Sequence, residues 1–167
     1  IHHLNFGNET ILIKGARAFH FEKIVADKEK KTHETVLEIN LNAISHNLNF
    51  YKSKLKPETK MMVMVKAFGY GNGGFEIAKL LEHHKVDYLG VAFADEGISL
   101  KNAGIRLPIM VLNPENTSFE SIIQHRLEPE IYSLKGLKAF LKIVGEKKIH
   151  HFPIHIKLDT GMHRLGF

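Results

Sequence analysis

The chain of 167 residues contains 23 Lys and Arg against 18 Asp and Glu, giving a net charge of +5, and 44% of its residues are hydrophobic. This composition is typical of an ordinary soluble globular protein, and the absence of Cys excludes disulfides, thiolate metal sites and cysteine nucleophiles and fits a cytoplasmic location. No apolar run approaches the about 20 residues of a membrane helix. The basic residues are not gathered on one face and the His residues lack a metal-ligand spacing, so membrane, nucleic-acid and metal partners are not expected.

Residues 1–24 are predicted to form a segment separate from the main domain. The stretch TILIKG is an apolar strand ended by Gly15, and residues 1–24 therefore form either the end of another domain or an extension. Residues 25–35, VADKEKKTHET, lose all periodicity and are mixed in charge, which indicates a linker. We expect the main domain to span 36–167.

Strands and helices alternate through that main domain. Near-continuous apolar strands are predicted at 60–66, 88–93, 107–113, 127–133 and 150–159. Helices are predicted at 41–55, where apolar residues including Tyr51 recur at a spacing of three to four and Pro57 ends the helix, and at 75–84 and 134–148. Further helices are predicted at 94–104, ended by Gly104, and at 117–125, which a Thr or Ser cap begins. The pattern predicts an α/β fold with a parallel sheet, and both a doubly wound sheet and a (β/α)8 barrel fit it. Five units are too few for a complete barrel of about 250 residues.

A lysine ends the first of these strands and opens a glycine-rich loop. In either parallel fold the carboxyl ends of the strands form the functional rim, so Lys66, Lys157, Asp159 and Arg164 are all predicted there. A lysine in a semi-apolar pocket beside other cations loses proton affinity and can form a Schiff base with a carbonyl cofactor such as pyridoxal phosphate. The alternative is a surface lysine whose amine reaches solvent.

Two motifs carry a resemblance to a known family. VKAFGYGNG resembles the pyridoxal-phosphate lysine motif of bacterial alanine racemases, and IKLDTGMHRLGF resembles their second signature. The intervening YLGVAFADEGISLKNAGIRLPIMVLNP is similar in order and spacing. The resemblance implies the N-terminal portion of a pyridoxal-phosphate-binding (β/α)8 barrel, truncated after about the fifth strand. It also implies an isomerase that interconverts L- and D-alanine for peptidoglycan synthesis.

The resemblance also implies roles for four residues. Lys66 matches the lysine that binds the cofactor covalently and then acts as the base on one face of alanine. Tyr70 matches the tyrosine that hydrogen-bonds the cofactor phosphate, and Arg164 the arginine that contacts the cofactor and the substrate carboxylate. Lys157 matches a lysine that is carbamylated in many members, and an unmodified Lys157 beside Arg164 is expected to repel it. Asp159 is expected to be structural.

Some features depart from the family pattern. Gly69 replaces an alanine, and Asn72 replaces a histidine and cannot titrate near neutral pH. The family's base for the opposite face comes from a C-terminal domain, across a homodimer, and it is not among these residues. We therefore expect a homodimer for the longer protein and no racemisation by this chain alone.

A weaker resemblance concerns the front piece. ILIKGARAFHFEKI is similar to the closing strand of Mur ligases, which implies a ligase joined to a racemase. The other readings are a different barrel-type pyridoxal-phosphate enzyme, either an amino-acid decarboxylase or a broad-specificity racemase, and a non-enzymatic cofactor-binding piece.

Overall fold

The computed structural model describes residues 38–66 and 73–167, and Glu38–Phe167 form one compact unit. The predicted N-terminal piece (1–24), the linker (25–35) and Tyr70 within the glycine-rich loop lie outside the described residues. Within the described ranges, no helix combines the length and the apolar character needed to cross a membrane.

A single parallel sheet forms the centre of the domain. Its strands are β1 (Met62–Met64), β2 (Tyr88–Val91), β3 (Ile109–Val111), β4 (Glu128–Ile131) and β5 (His155–Ile156). Each strand pairs in parallel with the next one along the chain, so the spatial order is β1-β2-β3-β4-β5. A doubly wound sheet reverses its strand order at a switch point, whereas a (β/α)8 barrel does not. The order therefore confirms the barrel-type prediction.

Among the described residues, five helices connect or precede these strands. They are α1 (Leu41–Lys52), α2 (Gly74–His83), α3 (Ala94–Asn102), α4 (Phe119–Gln124, preceded by a 3-10 turn at Asn116–Ser118) and α5 (Leu134–Glu146). Asn40 Oδ1 accepts a hydrogen bond from the Ala43 amide at 3.0 Å, which satisfies a free amide at the start of α1. Gly104 follows α3 with φ +92°, the left-handed conformation that lets a glycine end a helix, as predicted.

The hydrophobic core lies between the helices and one face of the sheet. On β2 and β3 its members are fully buried, namely Leu89, Val91, Ile109 and Val111. Three aromatic rings add specific contacts at the α4–α5 side. Phe140 packs edge-to-face on Phe119 at 5.1 Å between ring centroids and on Phe152 at 5.6 Å. These contacts fix the sheet against its helical layer and so set the positions of the strand ends.

The structure corrects several sequence predictions. The strands are two to four residues long and not six to ten, because an apolar run shows that a segment is buried but does not show how far its ladder extends. β1 is buried on one face only, since Met62 and Met64 are 40% and 42% exposed. Helix α1 ends at Lys52, five residues before Pro57, and Tyr51 on its expected apolar face is 64% exposed.

The predicted cap of α4 is also wrong. The Ser118 hydroxyl donates to the Glu115 carbonyl at 2.8 Å and accepts no helix amide. It stabilises the preceding 3-10 turn instead of the α-helix.

Candidate functional site

The sheet has a second face, opposite the core, and this face carries most of the polar side chains of the strands. Because side chains alternate along a strand, the face is set by the register of the strands. Its members are Met62, Met64, Tyr88, Gly90, Met110, Glu128, Glu130, His155 and Lys157. Gly90 belongs to it because a Cβ added there would lie 2.5 Å from the Met64 sulfur. We call this set the second face.

Lys66 lies at the carboxyl end of β1. The Val65 amide donates to the Gly90 carbonyl at 2.8 Å, so the pairing with β2 continues up to the residue before the lysine. Val65 is buried in the core, whereas Lys66 is exposed and follows Met64 by two positions. The neighbouring Met62 and Met64 are also exposed among the described residues, so the semi-apolar pocket expected around Lys66 stays a prediction.

Lys157 follows β5, on the edge strand opposite β1, so three strands separate it from Lys66 along the sheet. Its ammonium Nζ lies 2.6 Å from Glu130 Oε1 on β4. The carboxylate side chain is only 8% exposed and the lysine side chain 23%. The expectation that an unmodified Lys157 repels Arg164 took no account of this partner, and the ion pair compensates the lysine charge within the sheet.

A second acid–base pair lies two residues earlier on each of these two neighbouring strands. His155 Nε2 is 2.7 Å from Glu128 Oε2, and the His155 ring meets the Tyr88 ring edge-on at 5.8 Å. Burial raises the pKa of the Tyr88 phenol, and the negative charge of Glu128 raises it further. Two buried carboxylates of β4 thus each hold one basic side chain, one on β5 and one directly after it.

Asp159 organises the turn that follows. Its Oδ1 accepts from the Gly161 and His163 amides, each at 3.0 Å. These bonds lower the pKa of the Asp159 carboxyl, and the bond from the Gly161 amide has the largest effect. The Phe167 amide donates to the Lys157 carbonyl at 3.0 Å and closes the segment. These contacts agree with the structural role expected for Asp159.

Arg164 is carried within this closed segment and is exposed. Among the described residues, no carboxylate lies within ion-pair distance of its guanidinium, and no hydrogen bond joins it to Lys66 or Lys157. The structure therefore brings Lys66, Lys157 and Arg164 to the carboxyl side of the sheet without placing them in contact. Tyr70, the fourth residue expected at the site, lies outside the described residues.

Glu128, Glu130 and His155 were not predicted from the sequence. The signal was present, because LEPEIYS places two glutamates two residues apart in a strand, and HIK places a histidine and a lysine at the same spacing. Residues at i and i+2 share one face of a strand, so adjacent strands with these patterns are expected to pair acid with base.

A cavity of about 280 Å³ lies beside β1 but on its core side. It is lined by Val65, Gly74, Phe75 and one side of α3 from Glu96 to the following Ala103. The Glu96 carboxylate accepts the Ala92 and Phe93 amides at 2.7 and 3.0 Å and so caps α3. Because side chains alternate along a strand, the side chain of Lys66 belongs to the other face of the sheet from this cavity.

Comparison with known proteins identifies a family for this domain. The profile described as "Alanine racemase, N-terminal domain" matches residues 39–167. An alanine racemase of Nostoc sp. is 41% identical over 135 residues, which cover 78% of this chain and 34% of the relative. An amino-acid racemase of Enterococcus faecalis is 37% identical over 144 residues, 84% of this chain and 20% of that protein.

The solved structures give the same result. An alanine racemase of Clostridium difficile 630 superposes with a TM-score of 0.74 at 38% identity, covering 80% of this chain and 36% of its own. The chain spans about a third of the length of the alanine racemases it matches. The family match begins at residue 39, so the Mur-ligase resemblance of the front piece gains no support from it.

Proposed function

The chain belongs to the alanine racemase family, and on that premise we propose that it supplies the cofactor-lysine side of an enzyme that interconverts L- and D-alanine. The observation that carries the proposal is the position of Lys66. It lies two residues after the end of β1, at the carboxyl side of a barrel-type parallel sheet, where this fold class places its reactive groups. The alanine racemase of Nostoc sp. is about three times as long as the segment that matches it, and we place the complete activity in a longer protein of that kind.

The residues present fit pyridoxal phosphate as the cofactor. The exposed Lys66 offers a primary amine for an aldehyde, the adjacent face is formed by Met62, Met64 and the small Gly90, and Arg164 offers a guanidinium for an anionic oxygen. When bound, pyridoxal phosphate supplies an electron sink that makes the α-proton of an amino acid acidic. Tyr70 is assigned to the cofactor phosphate by the family motif.

The protein side chains then carry binding and proton transfer. The Lys66 amine removes or returns the α-proton on one face of alanine, as a general base and acid. The Arg164 guanidinium binds the substrate carboxylate through two parallel N–H bonds. Racemisation needs a second proton-transfer group on the opposite face, which we place in the longer protein across a homodimer.

The test is covalent labelling of the 167-residue chain. Pyridoxal phosphate is added, the adduct is reduced with borohydride, and the labelled lysine is mapped by mass spectrometry. We expect the label on Lys66 and its loss in Lys66→Ala, while Lys142→Ala, which alters a lysine with a 77% exposed side chain, keeps it. Label spread evenly over surface lysines contradicts the proposal. The chain alone is expected to show no turnover of L- to D-alanine.

A second candidate is racemisation of several amino acids. It is favoured by the 37% identity to a protein named amino-acid racemase. Assays of the longer protein with alanine, serine and lysine separate the two functions, and carbon dioxide release identifies a decarboxylase. A rate with serine or lysine equal to that with alanine favours the broad-specificity enzyme.

The biological setting follows from the same proposal. D-Alanine is consumed in peptidoglycan synthesis, so we place the protein in the cytoplasm beside the ligases that use it. A fusion to a Mur ligase ahead of residue 25 stays a prediction. The parent gene sequence tests it, since a ligase domain must then be encoded directly upstream.

A further inference from the structure

We propose that Asp159 is a positioning residue for Arg164. It fixes the backbone from which the guanidinium meets the substrate carboxylate, and it thereby sets the affinity for alanine. The inference rests on the proposed function, in which Arg164 binds that carboxylate, and it adds a residue that does not itself touch the substrate. Because the order of the Arg164 backbone and the turnover of alanine are separate measurements, each proposal can fail without the other.

Asp159 anchors the chain directly before Arg164. Its Oδ1 accepts hydrogen bonds from the Gly161 and His163 amides, each at 3.0 Å, so one carboxylate oxygen holds two amides of the turn. His163 has φ +56°, a left-handed conformation that residues with a side chain rarely adopt and that persists only where surrounding contacts hold it. Because Arg164 is the next residue, the direction in which it leaves the turn depends on this conformation of His163.

A second anchor lies just after Arg164 and consists of backbone atoms only. The Phe167 amide donates to the Lys157 carbonyl at 3.0 Å, and the Asp159 amide donates to the Phe167 carbonyl at 3.1 Å. Gly166 packs directly on the Asp159 backbone, since a Cβ added at Gly166 would meet it. This anchor does not use the Asp159 side chain. Removing that side chain is therefore expected to release the turn before Arg164 and to leave the closure after it intact.

The Arg164 side chain is held only through its backbone. It is exposed, and within residues 38–66 and 73–167 it forms no hydrogen bond, ion pair or ring contact. Its guanidinium can therefore bind an incoming carboxylate with two parallel N–H bonds without first giving up a protein partner. Any freedom that the backbone retains must be lost when the carboxylate binds, and this loss weakens binding.

The Asp159 side chain is expected to act on binding more than on proton transfer. The carboxylate of alanine keeps its charge while the α-proton moves, so its contact with Arg164 is present in the ground state and in the transition state alike. Weakening an interaction of that kind raises KM and leaves kcat nearly unchanged. A loss of folded enzyme instead lowers kcat per total protein and leaves KM unchanged. The two parameters therefore separate positioning from general stabilisation.

The first experiment is initial-rate kinetics of the longer protein with L-alanine. We expect Asp159→Ala to raise KM about tenfold and to change kcat by less than about twofold. Asp159→Asn keeps a side-chain oxygen for the same amides but has no negative charge, so its KM is expected to stay within about threefold of the wild-type value. The matched control, Glu58→Ala, removes a negative charge from an exposed residue ahead of β1 and is expected to change neither parameter.

Three kinetic results overturn the inference. They are an unchanged KM in Asp159→Ala, a fall of kcat alone in that variant, and a KM in Asp159→Asn as high as that in Asp159→Ala. The last result would assign the effect to the charge of Asp159 and not to the two amides that it holds.

The second experiment measures ¹⁵N order parameters in the 167-residue chain and needs no turnover. A rigid backbone has an order parameter of about 0.85 and a flexible one a value below about 0.6. In Asp159→Ala we expect the Arg164 amide to change from the first value to the second while the Phe167 amide keeps the first. Asp159→Asn is expected to keep both amides rigid.

An Arg164 amide that stays rigid in Asp159→Ala overturns the inference even if the longer protein racemises alanine. If the longer protein does not turn over alanine, the proposed function is refuted, whereas release of the Arg164 backbone in Asp159→Ala still supports its positioning by Asp159.

Discussion

Replacing Gly166 by alanine tests how the segment that carries Arg164 is held. Gly166 has φ +145°, which side-chain-bearing residues rarely adopt. A Cβ there would meet the backbone of Asp159 and lie 2.9 Å from the Leu158 carbonyl carbon. Because these are backbone atoms, they cannot move aside as a flexible side chain can. We expect the substitution to open the segment closed by Phe167.

The magnitude follows from the backbone geometry. Holding a non-glycine residue in a disfavoured region costs about 1–3 kcal/mol. The cost falls on a terminal segment, so it appears as local opening and not as a lower stability of the whole domain. Since 1.4 kcal/mol is a factor of ten, the Phe167 amide, which bonds the Lys157 carbonyl at 3.0 Å, is expected to exchange roughly 5- to 150-fold faster.

Native-state hydrogen exchange of the Phe167 and Asp159 amides measures this effect, with Gly145→Ala as the matched control. Gly145 lies within α5 and has no atom within 4 Å of its added Cβ. The control is expected to stabilise the helix by about 0.5–1 kcal/mol, because alanine is the better helix former. Unchanged protection of Phe167 in Gly166→Ala refutes the reasoning.

Two further predictions concern the core and the turn. Phe140→Ala removes a ring that is 2% exposed and is expected to cost about 3–5 kcal/mol in urea unfolding, whereas Leu141→Ala, at a 55% exposed side chain, changes stability by less than about 0.5 kcal/mol. Equal losses of unfolding free energy in the two variants contradict the assignment of Phe140 to the core. The lowered pKa of Asp159 means that its contribution to the turn is complete above the ordinary value of 3.8 and is lost as the pH falls through the lower folded-state value. Amide exchange of Gly161 and His163, corrected for intrinsic rates, is expected to follow that loss, and a similar pH response in Asp159→Asn rules the explanation out.

The sequence predicted the order and type of the elements because that information is local. The 3–4 spacing of apolar residues located α1, and Gly104 marked the end of α3 through its tolerance of positive φ. The parallel sheet followed from the alternation of strands and helices. The alternation did not decide between a barrel and a doubly wound sheet, because strand order depends on contacts between distant segments.

The site was predicted less completely, and the reason is again the range of the contacts. The motifs located Lys66 and Lys157 at strand ends, but the environment of each depends on neighbouring strands. The partner of Lys157 is Glu130, 27 residues earlier in the chain, and the exposure of Lys66 depends on what covers the second face. Reading the glutamates of LEPEIYS as one face of a strand would have supplied the first of these facts.

The consecutive strand order has a consequence for how the domain is made. Hydrogen-bonded partners in neighbouring strands are only about 18 to 26 residues apart, so every closure joins a strand to the one synthesised just before it. At a translation rate of about 5–20 residues per second, successive strands leave the ribosome roughly 1–5 s apart. The sheet can therefore form in the order of synthesis. Each new βα unit packs on a unit that is already folded, and the edge of the last strand stays unpaired until the next strand has been made.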